Sequence, residues 1–160
     1  MVEPVCLDEI LLASAQEIFS TMIFMDIQRA DENMPQSANW ELLGSITFKG
    51  GIEGCLAICC TRQCAEAIAA NMLALESANE LTEENTCDAM GEITNMIMGG
   101  LKARILKMVN TLEVSIPSVV RGHELRNTLG DGSEKVSVRV NIDDNYIAEL
   151  LLMYREKCGQ

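Results

Sequence analysis

The chain is poor in aromatic, basic and imidazole side chains. Among 160 residues there are one Trp, two Tyr, three Phe and one His. A lone His123 supplies neither a hydrolase triad nor a multi-histidine metal site. No Gly-x-Gly-x-x-Gly, Walker-type loop or nucleophile elbow is present. Lys and Arg total 12 against 24 Asp and Glu, a net charge of −12. The basic residues are dispersed and not interleaved with aromatics, which argues against nucleic acid and against an anionic membrane surface as partners. Apolar runs are too short or too interrupted to span a bilayer, and Met1-Val2-Glu3-Pro4 lacks the basic start of a secretory signal. A cytoplasmic location is expected. Seven cysteines are then free thiols. Cys55, Cys59, Cys60 and Cys64 include no Cys-x-x-Cys pair. Cys55 and Cys59 share one face of a strand and Cys60 the other, so they read as small buried hydrophobes.

With few aromatics, aliphatics and ten methionines must fill the interior. The length suits a single domain over residues 1–160 with a real core. Residues 7–26 predict a first helix, with Leu11, Ala15, Ile18, Met22 and Met25 at three- and four-residue steps. A polar connection with Pro35 follows over residues 29–39. Residues 40–48 alternate as a strand, Gly50-Gly51 signals a hairpin turn, and residues 52–60 return. That returning strand is apolar on both faces and predicts a central position with helices on at least one side. A second helix is expected over residues 63–75.

An acidic stretch, Glu76 to Asn85, precedes a long helix reaching about Met108. Thr82 is its expected cap, and the acids of its first turn suit the helix dipole. Residues 111–120 read as a strand whose Pro117 suits an edge, an end or a bulge. Residues 122–132 read as a loop. A second hairpin follows: residues 135–142, a turn at Asp143-Asp144-Asn145, and residues 146–154. Each half thus gives a helix and then a long hairpin. Glu17-Ile18-Phe19-Ser20-Thr21-Met22 loosely echoes Glu92-Ile93-Thr94-Asn95-Met96-Ile97. The expected fold is α+β: an antiparallel sheet of long β-hairpins with packed helices and a pseudo-twofold internal repeat.

The middle of the long helix, residues 88–102, organises the rest. At about 100° per residue, Asp88, Glu92, Asn95, Gly99 and Lys102 all fall within a stripe roughly 80° wide. Met90, Ile93, Ile97 and Leu101 form a core row on the opposite side. Gly99-Gly100 costs about 1 kcal/mol per glycine relative to alanine. Close packing at Gly100 and close partner approach at Gly99 would compensate; a kink is the alternative. A carboxylate beside a carboxamide can orient a water while electrophile and metal come from elsewhere, as a glutamine does in GTPases. An acyl phosphate on another protein fits that description. A merely wetted helix face fits the same stripe.

The pattern Asp88-x3-Glu92-x2-Asn95, followed by Met96-Ile97-x-Gly99 and Lys102, resembles the signature helix of the CheC/CheX family. These are phosphatases of the phosphorylated chemotaxis response regulator CheY. Pro117 lies close to the position of a proline in the family pattern, and the segment from Glu17 to Met22 is similar to the family's first helix. CheC-like members carry the Glu-x-x-Asn pair in both halves. Ser20 stands at that place in the first half here, so the likeness is to CheX, with one site. The resemblance implies a CheC-like fold and hydrolysis of a regulator's aspartyl phosphate. Asn95 would orient the attacking water and Glu92 would pair with a regulator lysine. Asp88, Gly99 and Lys102 would meet the partner. It further implies no cofactor on this chain, Mg2+ on the partner regulator, and a homodimer. A non-catalytic regulator-binding module, like the flagellar switch proteins of the same superfamily, is the alternative.

Overall fold

The structure, a computed structural model, describes residues 4–31, 39–76, 78–125 and 132–156. Helix α1 spans Pro4–Ile18 and runs into a π-helical turn, Phe19–Ile23. Strands β1 (Ile27–Arg29), β2 (Leu42–Gly50) and β3 (Ile52–Cys60) follow, then helix α2 (Arg62–Met72). A short 3-10 turn, Ala78–Glu80, leads to helix α3 (Glu83–Val109). The chain closes through β4 (Leu112–Val114), β5 (Ser118–Arg121), β6 (Glu134–Ile142) and β7 (Tyr146–Glu156).

All seven strands join one antiparallel sheet in the order β1-β6-β7-β3-β2, with β4 and β5 both lying along β2. The expected pseudo-twofold is visible in this order. The two hairpins meet at the centre, where β3 pairs with β7. Each helix then feeds a short strand to the other half's hairpin: α1 leads to β1 on β6, and α3 leads to β4 and β5 on β2.

Alternation decides the faces of the sheet. Leu56, Ile58 and Cys60 of β3 join Val136, Val138, Val140, Leu150 and Leu152 under the helices. On the opposite face Leu43, Ala57, Cys59 and Leu151 pack with Trp40. The Trp40 indole N–H donates to Glu149 Oε2 at 3.2 Å, and the Arg139 guanidinium lies 6.0 Å from the ring centre. The cysteines divide as strand parity predicts, with Cys59 on this face and Cys60 under the helices. Burial pushes the Cys59 thiol up to about 12. A hydrogen bond with Cys64, and burial, push the Cys60 thiol up as well.

Two segments differ from the sequence expectation. The first helix does not run evenly to residue 26. Its π turn inserts a residue into the helical period and shifts the buried face. Phe19 and Ile23 are buried, while Met22 is left half exposed. Phe24 then ends the helix in the left-handed region, φ 60°, freeing Ile27–Arg29 to pair as a strand, of which only Arg29 fell within the expected polar connection. The strand expected over residues 111–120 is two strands. Pro117 has no N–H to donate, so the ladder on β2 breaks between β4 and β5. Much of the expected loop of residues 122–132, the Pro35 connection and the last four residues lie outside the described residues.

Candidate functional site

Helix α3 begins where the sequence places it. The Thr82 hydroxyl accepts from the Asn85 N–H at 3.0 Å, and Glu83 and Glu84 occupy the first turn. The helix continues without interruption through Gly99-Gly100 to Val109. Met90, Ile93, Ile97 and Leu101 are all 1% exposed or less. Burial of each such side chain stabilises by roughly 1.5–3 kcal/mol, so the helix cannot rotate without large loss. On the far side Asp88, Glu92, Asn95 and Gly99 are exposed and Lys102 is half-buried. The structure therefore presents the Glu92 carboxylate and the Asn95 carboxamide side by side. No described residue pairs with either group.

Three contacts hold this helix in place. Beneath it, the buried Thr94 hydroxyl donates to the Met90 carbonyl at 2.7 Å and sits directly over Gly44 of β2. On one flank, α1 packs against Gly100: a Cβ there would lie 3.5 Å from the Ser14 Cβ. On the other flank stand Val119 and Pro117, at 3.6 and 3.9 Å from the position a Cβ on Gly91 would take. At Gly99 a Cβ would meet nothing within 4 Å. The two glycines thus divide as the packing alternative predicts: Gly100 faces α1 and Gly99 faces open space.

Charges fix the two ends. Glu83 accepts from Arg62 at 2.6 Å and from Arg121 at 2.5 Å, tying the starts of α2 and α3 to β5. Arg121, and then Arg62, holds the Glu83 carboxyl below the usual carboxylate range. An open cavity of about 680 Å³ beside this cluster is lined by Arg62, Glu83, Val119, Arg121 and His123 among others. Near the other end the Arg104 guanidinium donates to the Gly100 carbonyl at 3.1 Å and to Glu17 Oε2 at 2.7 Å.

That last contact bears on the first half of the repeat. Glu17, the counterpart of Glu92, is held by Arg104. Ser20, the counterpart of Asn95, donates its hydroxyl to the Glu17 carbonyl at 3.1 Å. Phe24, one place beyond the π turn, stands where the repeat puts Gly99. The first half therefore offers no free carboxylate–carboxamide pair.

Sequence reasoning did not find Leu106, which continues the stripe one turn beyond Lys102 and is 38% exposed. Carrying the 100° step four residues further would have found it. Nor did it find the Arg62–Glu83–Arg121 cluster, which joins three separate elements and leaves no local signal. Among the described residues no three His, Cys, Asp or Glu side chains come together as a metal-binding group. Also among them, no helix is long and apolar enough to cross a membrane.

Known proteins bear on this arrangement. A family model described as chemotaxis phosphatase CheX matches residues 42–141, which include all five residues of the stripe. No curated protein sequence matches the chain. Among solved structures, CheX from Vibrio vulnificus is 23% identical with a TM-score of 0.75, covering 97% of this chain and 100% of that one. CheX from Desulfovibrio desulfuricans is 21% identical with a TM-score of 0.75, over 94% and 99%. The CheX–CheY–BeF3–Mg2+ complex from Borrelia burgdorferi contains a chain 18% identical with a TM-score of 0.72, over 92% and 97%. At these identities the structures speak for the fold, and it is the family model, covering more than half the sequence, that assigns the family. The chain belongs to the CheX family of chemotaxis phosphatases.

Proposed function

We propose that this protein hydrolyses the aspartyl phosphate of a CheY-like response regulator. The observation that carries the reading is the exposed Glu92–Asn95 pair on an immobilised helix, with no side chain at Gly99 to keep a partner away. The substrate is an acyl phosphate on a second protein. Water attacks phosphorus, the bond from phosphorus to the aspartate oxygen breaks, and carboxylate and inorganic phosphate result. In this reading the Asn95 carboxamide enters the regulator's site and hydrogen-bonds the attacking water, aiming its lone pair at phosphorus. Glu92 pairs with a regulator lysine and so registers the helix against that site. Asp88 and Lys102 extend the contact along the helix. Magnesium belongs to the regulator, as the composition of the Borrelia burgdorferi complex suggests by likeness.

The test mixes the protein with a phosphorylated receiver domain and follows phosphate release. Wild type should accelerate release, and Asn95→Ala should lose about 100-fold of that acceleration, the scale expected when a reacting group is no longer positioned. Equal rates for wild type and Asn95→Ala would remove Asn95 from the chemistry. Binding of the phosphorylated receiver without acceleration would instead support the non-catalytic module.

A further inference from the structure

We infer that Ile116 is an apolar anchor for the same regulator that meets Asn95, packed against apolar surface of that regulator. The inference rests on the phosphatase reading above and adds to it a docking residue outside the helix. Ile116 is 86% exposed, more than any other large apolar side chain among the described residues. Scattered exposed apolar residues are ordinary on protein surfaces. Two observations set this one apart.

The first is its fixation. Ile116 sits at the break between β4 and β5, and that break is pinned on both sides. The Ser115 N–H donates to the Thr47 carbonyl at 2.9 Å, and the Thr47 N–H donates to the Ser115 hydroxyl at 3.0 Å. The same hydroxyl donates to the Ile116 carbonyl at 3.1 Å. Pro117 follows with a ring-locked φ, and Ser118 pairs with Ser45 of β2. A backbone held in this way loses little further freedom on binding, which favours affinity.

The second is its place. Pro117, the next residue, flanks α3 at Gly91, directly before Glu92. A specific interface covers about 800 Å² on each partner, far more than one helical turn. A partner centred on Glu92 and Asn95 must therefore spread onto the ground on either side. Toward α1 that ground is the exposed polar Glu17, Ser20 and Thr21 together with the exposed Met22 and Phe24. Toward β5 it is Ile116.

The experiment compares wild type, Ile116→Ser, Ile116→Leu and Asn95→Ala with one receiver domain. KM and kcat are read with the phosphorylated form, and Kd with the beryllofluoride-loaded form. Ile116→Ser should raise KM and Kd at least tenfold, the loss expected when a buried aliphatic contact is removed. Its kcat at saturation should stay within twofold, as should that of Ile116→Leu, which should also keep the wild-type Kd. Asn95→Ala should do the reverse, lowering kcat with little change in Kd. If Ile116→Ser leaves KM and Kd within twofold, or lowers kcat at saturation, the inference is overturned while the phosphatase reading stands. If wild type binds the receiver without dephosphorylating it, the phosphatase reading falls and the Kd comparison still decides the role of Ile116. If wild type neither binds nor dephosphorylates any receiver of the same organism, both are overturned.

Discussion

Single residues separate what stabilises this protein from what it presents. Gly91 and Gly99 both sit inside α3, where glycine costs about 1 kcal/mol against alanine. At Gly91 an added methyl would meet only ordinary contacts, Val119 at 3.6 Å and Pro117 at 3.9 Å. At Gly99 it would project into open space. Gly91→Ala and Gly99→Ala should therefore each raise stability, by about 0.5–1 kcal/mol. Their effects on function should part. The Gly99 methyl lies on the stripe, one turn beyond Asn95, where the proposed function brings the regulator. Gly99→Ala should raise KM for the phosphorylated receiver severalfold while the urea midpoint moves up. A variant that is more stable and binds the receiver as tightly as wild type would show that Gly99 is not kept open for a partner.

Elements explain how much of this could be seen beforehand. The stripe and its core row were legible because both depend only on the 100° step of one helix, and Met90, Ile93, Ile97 and Leu101 are buried as that step requires. The two hairpins were legible because period-two alternation and the Gly50-Gly51 and Asp143-Asp144-Asn145 signals are local. What was not legible depends on other elements. The π turn at Phe19–Ile23 shifts the buried face of α1 without any breaker residue to announce it. The pairing of Ile27–Arg29 with β6 joins residues more than a hundred positions apart. The seat of α3 on β2 is likewise non-local, and it includes one especially close approach. Gly44 has no side chain, and the Thr94 hydroxyl occupies the space a methyl would need. Gly44→Ala should destabilise by about 1–3 kcal/mol through overpacking. Thr94→Ala in the same chain should recover part of that loss, because the atom in conflict is gone. Urea melts of the two single variants and the double would measure the coupling. Strict additivity would mean that α3 and β2 do not meet at this point.

At the scale of the whole molecule, the central strands of the sheet are covered on both faces, and the two covers differ in kind. Three helices cover one face. On the other, Trp40, Leu43, Ala57, Cys59 and Leu151 shield the central strands. Cys59 in that second cover is 1% exposed, and burial first, then the Glu149 carboxylate, pushes its thiol from 9.0 up to about 12. The sign of the consequence follows from linkage. The thiol is neutral in the folded protein and ionises more readily once unfolded. Its contribution is therefore complete below pH 9 and is lost as the pH rises through about 12. Between those values stability should fall with a slope of up to about 1.4 kcal/mol per pH unit from this group. Cys60, raised by its hydrogen bond to Cys64 and by burial, adds a slope of the same sign. Cys59→Ala removes the first contribution and keeps the second. Urea midpoints measured in reductant at pH 8, 10 and 11 should fall less steeply for Cys59→Ala than for wild type, although the variant starts lower at pH 8 for the packing it loses. Parallel declines in the two proteins would mean that solvent reaches Cys59 through this face, and that the Trp40 cluster does not seal it.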